Sequence, residues 1–100
     1  MYKKIIQFKD KKCFGNETII FQNEKNFFII IIDQGKKTYF FADLKLERLY
    51  PANSYIKKVN FEYDAKSEAA ELKYNFDIDL SKYGCSKCPD WLCALIKNNK

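Results

Sequence analysis

The first half of the chain alternates short apolar runs with polar turns. Four runs are rich in β-branched and aromatic residues, which predicts strands at residues 2–8, 18–22, 27–32 and 38–41. The polar sequences at 23–26 and 33–36 are typical of the tight turns that join antiparallel neighbours. We therefore expect consecutive antiparallel strands in this half.

The run 27–32 is apolar at every position, so neither face of that strand is suited to water. Both faces of the sheet must be covered. The pattern predicts that a C-terminal helix covers one face. The other face is covered either by the sheet curling over itself or by a second copy of the chain, so a homodimer is one expectation.

The second half shows strict alternation of apolar and polar residues at 58–63 and again at 71–80. This pattern predicts a long hairpin with one solvent-exposed and one buried face, in which Lys58 pairs across the strands with Asp77 and Glu62 pairs with Lys73. Between the two halves, residues 42–50 fit either a short helical turn that begins at Asp43 or a further strand, and we favour the helical turn.

A C-terminal helix is predicted from Asp90 to about residue 98. Pro89 and Asp90 suit the start of a helix, and an apolar stripe follows at Trp91, Leu92, Leu95 and Ile96. The predicted fold class is α+β, a mainly antiparallel sheet of five to six strands, open or strongly curled, with this short helix packed on it. The length predicts a single compact domain, 1–100.

The chain contains four cysteines and no histidine. Cys85, Cys88 and Cys93 form a Cys-x2-Cys pair that leads into the predicted helix, a spacing found in zinc sites. The fourth ligand would be Cys13, a carboxylate such as Asp90, or a group from a partner. One zinc ion is our preferred interpretation, with free thiols and then disulfides as the alternatives.

The N-terminal residues are charged and contain no apolar stretch of the length that a secretory signal needs. The longest apolar run is far too short to cross a bilayer. The sequence therefore predicts a cytoplasmic protein that does not enter a membrane.

The formal net charge is +5, yet residues 61–80 contain six acidic and only two basic side chains. An acidic patch on a basic protein is a candidate docking surface for a basic partner. The candidate protein-binding residues are Glu62, Glu71, Asp77 and Asp79. The alternative, a nucleic-acid-binding surface, would use Lys9, Lys11, Lys12, Lys57 and Lys58, although arginine, which nucleic-acid readers favour, occurs only at Arg48.

The sequence offers little catalytic equipment, since it lacks histidine, a glycine-rich phosphate loop and a serine-nucleophile motif. In its size and its lysine-rich, β-rich composition, the chain resembles the small inhibitors encoded by phages and mobile elements, anti-CRISPR proteins among them. The resemblance implies a non-enzymatic protein-binding module that inhibits a larger, nucleic-acid-handling protein. The alternatives are a zinc-stabilised nucleic-acid-binding protein and a structural or oligomer-forming subunit.

Overall fold

The computed structural model describes residues 1–10, 16–64, 66 and 70–98. These residues form an open antiparallel sheet of seven strands in the order β6-β1-β2-β3-β4-β5-β7, with two α-helices. The elements in chain order are β1 Tyr2–Asp10, β2 Asn16–Gln22, β3 Asn26–Asp33, β4 Lys36–Asp43, β5 Arg48–Pro51, α1 Asn53–Lys58, β6 Glu71–Leu72, β7 Ser86–Lys87 and α2 Asp90–Lys97. The predicted fold class is confirmed, with seven strands rather than five or six.

Local turn chemistry explains why strands β2 to β4 lie where the sequence predicts. The loop between β3 and β4 has two residues with positive φ, Gln34 at 51° and Gly35 at 81°, the conformation of a tight hairpin turn. Between β2 and β3, the Asn23 side-chain oxygen accepts hydrogen bonds from the backbone N–H groups of Lys25 and Asn26, at 2.9 and 2.8 Å. Both predicted turns are confirmed.

The sheet separates two buried clusters. On one side, which we call the aromatic face, the sheet contributes Tyr2, Ile19, Phe21, Phe28, Ile30 and Phe41. On the other side, which we call the helix face, it contributes Ile6, Ile20, Phe27, Ile29, Ala42 and Leu49. Strand β3 supplies residues to both clusters, as its uninterrupted apolar run predicts.

The described residues of segment 52–80 cover the aromatic face, and their path corrects the predicted second hairpin. After β5 the chain crosses this face through Ile56, Phe61 and Tyr63 to reach β6, which pairs with β1 at the far edge. It then returns through Phe76 to β7, which pairs with β5. The pairings of Lys58 with Asp77 and of Glu62 with Lys73 were wrong, because the apolar residues of each crossing pack on the sheet below.

The predicted helical turn within residues 42–50 was also wrong. The Asp43 carboxylate accepts hydrogen bonds from the backbone N–H groups of Glu47 and Arg48, at 2.9 and 2.8 Å. Leu46 adopts a positive φ of 59°, which reverses the chain. Strand β5 then pairs with β4, so the carboxylate stabilises a loop between strands rather than the start of a helix.

Helix α2 covers the helix face with Leu92 and Ile96, both buried, as predicted. Trp91 departs from the prediction, since it is 54% exposed and lies outside the buried stripe. Both faces of β3 are thus covered by this chain itself, and the apolar run alone does not require a second copy. Across the described residues, neither helix has the length and apolar character needed to span a membrane.

A buried polar contact closes one end of the aromatic face. Tyr2 is fully buried and its hydroxyl donates a hydrogen bond to the side-chain oxygen of Asn26, which is 4% exposed. Burial raises the pKa of Tyr2 to about 12 from an ordinary value of 10.0. The folded protein therefore holds the proton in a pH range where the unfolded chain has lost it.

Alkaline pH is expected to destabilise the protein through Tyr2. The tyrosine's contribution is fully present below about pH 10 and is lost between about pH 10 and 12, by roughly 2–3 kcal/mol. Tyr2→Phe should cost about 1–3 kcal/mol at pH 8, because the Asn26 amide is left without its partner. Urea unfolding from pH 8 to 11 should show this cost shrinking as the pH rises.

Burial also raises the pKa of Tyr39 and Tyr55. The difference in stability between the native chain and Tyr2→Phe therefore isolates the loss at alkaline pH that is due to Tyr2. Tyr74→Phe is the matched control, since Tyr74 is 41% exposed. A cost of Tyr2→Phe that stays constant with pH would contradict this account of the buried hydroxyl.

Candidate functional site

The three described cysteines do not converge. Cys85 is exposed, Cys88 is 2% exposed and Cys93 is partly buried. Cys88 belongs to the cluster on the helix face, whereas Cys85 lines a surface depression with Pro51 and Tyr83. Strand β7 separates the two residues along the chain, with Cys85 directly before it and Cys88 directly after it.

Cys88 and Cys93 lie together because they flank the start of helix α2. Pro89 is the N-cap of α2, so Cys88 and Cys93 occupy the positions just before the cap and four residues after it. Apolar side chains at these positions pack together and fix the entry of the chain into a helix. The Cys93 thiol also donates to the Leu46 carbonyl at 3.4 Å and approaches the Cys88 carbonyl at 3.8 Å.

Burial, followed by the neighbouring Cys93, raises the pKa of the Cys88 thiol to about 12. Within the described ranges, no group of three or more histidine, cysteine or acidic side chains is placed to hold a metal ion. Cys13 lies outside the described residues, and Asp90 is exposed in the first turn of α2. The zinc site stays a prediction. Of its candidate residues that the structure describes, Cys88 and Cys93 lie together, and Asp90 is near enough to contribute to the raised pKa of Cys88.

The four predicted acidic residues are all exposed and fall into two groups. Glu62 and Glu71 line a shallow depression of about 190 Å³, where Asp64 joins them. Asp77 lies near Tyr55, a residue of α1. Asp79 has a local role, since its carboxylate accepts hydrogen bonds from the Ser81 hydroxyl and N–H at 2.6 and 3.1 Å, which lower its pKa.

The sequence did not single out Tyr74 as a residue of this depression. Strict alternation placed it on the dry side of a strand, but it is 41% exposed. Its ring packs against that of Phe61, with a centroid distance of 4.7 Å and an interplanar angle of 68°. It also packs against that of Phe76, with a centroid distance of 6.1 Å and an interplanar angle of 5°. We call Tyr74, Glu62, Asp64 and Glu71 the acidic aromatic surface.

The predicted basic residues that the structure describes lie on two different elements. Lys9 is exposed near the end of β1, whereas Lys57 and Lys58 are exposed in the last turn of α1, which packs on β4. Cations in the last turn of a helix complement its dipole, which gives these two lysines a structural role. Lys11 and Lys12 lie outside the described residues.

The chain matches no family model, no curated protein and no solved structure. The class defined by its fold and candidate site is a small antiparallel-sheet protein with an acidic aromatic surface on the segment that covers its aromatic face. Any function must therefore be argued from the geometry of that surface.

Proposed function

We propose that this chain is a non-enzymatic protein-binding module that docks on a basic surface of a larger protein through the acidic aromatic surface. The observation that carries the proposal is the position of Tyr74, exposed to solvent yet packed against Phe61 and Phe76 beside three carboxylates. By occupying the surface it binds, the chain acts as an inhibitor of its partner.

The packing of Tyr74 favours a role as a binding anchor. Tyrosine is enriched among the residues that contribute most to interfaces, because it offers a large apolar ring and a polar hydroxyl. A side chain that is already held in place loses less conformational entropy when a partner covers it. The two phenylalanine rings supply this support within the free protein.

The carboxylates favour a basic partner. Three carboxylates, Glu62, Asp64 and Glu71, line the depression with Tyr74 and one lysine, Lys73, so its net charge is negative in a chain whose net charge is +5. Clustered charge of one sign steers an oppositely charged partner and raises its association rate. Nucleic-acid-handling proteins carry extended basic surfaces, which makes them the partner class we expect.

Charge reversal tests this proposal. The bait Glu62→Lys/Glu71→Lys should lose the partner that the native chain captures from a nuclease-treated lysate of the source cell. Its association rate should fall on the order of 10-fold or more, because like charges replace attraction. Affinity capture followed by binding kinetics measures both effects.

A matched control has the same change in net charge at another place. Glu24→Lys/Glu47→Lys alters two exposed residues in the loops after β2 and β4, and it should keep the partner. Equal capture by both double variants would contradict the proposal. A captured species that disappears on nuclease treatment, and that the reversed bait binds more tightly, would instead indicate nucleic-acid binding.

A further inference from the structure

Two free thiols meet at the start of helix α2, on the helix face of the sheet. Cys88 is 2% exposed and belongs to the buried cluster, whereas Cys93 is partly buried and packs against that cluster. The side chain of Cys93 is placed to hydrogen-bond that of Cys88. The two sulfur atoms are therefore neighbours, and the residues form a reduced pair.

The backbone holds this pair together. The Cys88 N–H donates to the Glu47 carbonyl at 3.1 Å, which ties Cys88 to the loop before β5. The Cys93 N–H donates to the Pro89 carbonyl at 3.0 Å, within the first turn of α2. Side chains just before a helix cap and four residues after it are brought together by this path of the chain. The contact between the thiols thus follows from the way in which α2 begins.

Cys85 is not part of this pair. It is exposed, lies before β7 and lines a separate depression with Pro51 and Tyr83. The Cys-x2-Cys spacing alone would favour Cys85 as the partner of Cys88, because such closely spaced cysteines are typical of redox pairs. The structure instead places Cys93 beside Cys88.

We propose that Cys88 and Cys93 are a site of reversible oxidation, at which a peroxide converts the two thiols to a disulfide. Cys93 is the more exposed of the two, so its sulfur attacks hydrogen peroxide, the O–O bond breaks, and a sulfenic acid and one water form. The Cys88 sulfur then attacks the Cys93 sulfur, the S–O bond breaks and a second water leaves. The two thiols lose two hydrogens and two electrons, and the peroxide takes up both.

The geometry favours the second step. Reaction between two groups of one chain proceeds at an effective concentration on the order of millimolar or more, so Cys88 competes well with external thiols. The sulfur atoms need to move only from hydrogen-bonding reach to about 2.05 Å. The thiol hydrogen that Cys93 donates to the Leu46 carbonyl at 3.4 Å is lost. Oxidation therefore removes one hydrogen bond between α2 and the loop before β5.

Peptide mapping identifies the product. Trypsin cleaves after Lys87 and Lys97, and the peptide between them contains Cys88 and Cys93 but not Cys85. The folded chain is treated with hydrogen peroxide, and its remaining thiols are alkylated in denaturant. This peptide should then be about 2 Da lighter than its reduced form and carry no alkyl group. Dithiothreitol should restore both thiols.

Two comparisons separate the effect of the fold from that of sequence spacing. In urea, the yield of the internally closed peptide should fall at least about threefold, because Cys13 and Cys85 then compete for Cys88. In the folded chain, Cys93→Ser should abolish this disulfide, whereas the same substitution at Cys85 should leave its yield unchanged. Circular dichroism verifies that both variants are folded.

The native chain alone decides the proposal, whether or not a variant folds. The proposal would be overturned if the peptide of residues 88–97 kept both thiols, carried a sulfinic acid, or were joined by a disulfide to the peptide of residues 83–87. Equal yields of the closed peptide in the folded chain and in urea would overturn it as well. These measurements contain only this chain, so they are independent of the partner proposed above.

Discussion

Phe28→Ala is expected to destabilise the protein by about 3–5 kcal/mol, the usual cost of removing a buried phenylalanine ring. Phe28 is fully buried on β3, and its ring centroid lies 5.0 to 6.4 Å from those of six other rings. These partners are Tyr2, Phe21, Tyr39, Phe41, Phe61 and Phe76. Because they include residues from the sheet and from both crossings of segment 52–80, truncation weakens the contact between the two layers.

The expected loss is a large share of the total stability, since a domain of this size is stable by about 5–15 kcal/mol. Urea denaturation at low protein concentration measures it. Phe8→Ala is the matched control, because it makes the same change on a strand at a site that is 48% exposed. Equal destabilisation by the two substitutions would contradict the central position that we assign to Phe28.

The sequence predicted the strands of the first half because their signals are local. Alternation, β-branched residues and turn chemistry at Asn23 and Gly35 all favour the same hairpins, and the structure contains them. The same reasoning failed for residues 58–63 and 71–80. An extended chain that lies on a sheet also alternates between buried and exposed residues, so the pattern does not say whether its hydrogen-bonding partner is a neighbouring strand.

The sequence identified only part of the candidate site. Local charge identified Glu62 and Glu71, and Asp64, which belongs to the same acidic stretch but was not chosen as a candidate, lines the depression with them. The exposure of Tyr74 depends on its packing over Phe61, a contact that the sequence pattern does not contain. The contact between Cys88 and Cys93 was accessible from the sequence. Pro89 and Asp90 mark the start of α2, and this start defines the two positions whose side chains pack together at the entry into the helix.

The lysine groups illustrate a different point. Lys9 and Lys57 share a sign of charge, but one lies on β1 and the other on α1. Charge counted along a sequence indicates a binding surface only when the fold brings the charges to one place. The acidic residues around Tyr74 meet this condition in part, since Asp77 and Asp79 do not line the depression.

Removal of the Tyr74 ring is expected to have the largest effect on binding. Tyr74→Ala should raise the dissociation constant for the captured partner by about 30-fold or more, the loss that corresponds to an interface anchor worth ~2 kcal/mol. Tyr74→Phe keeps the ring on Phe61 and Phe76 and should retain most of the affinity. Thermal melts of both variants show whether the support beneath the ring is intact.

The most direct test of the proposed function is therefore the dissociation constant of the captured partner, measured by calorimetry for the native chain, Tyr74→Ala and Tyr74→Phe. The acidic aromatic surface predicts a large loss of affinity for Tyr74→Ala and a small one for Tyr74→Phe, with all three chains folded. A dissociation constant of Tyr74→Ala within about twofold of the native value would contradict it, because the loss of affinity expected for an anchor residue is far larger.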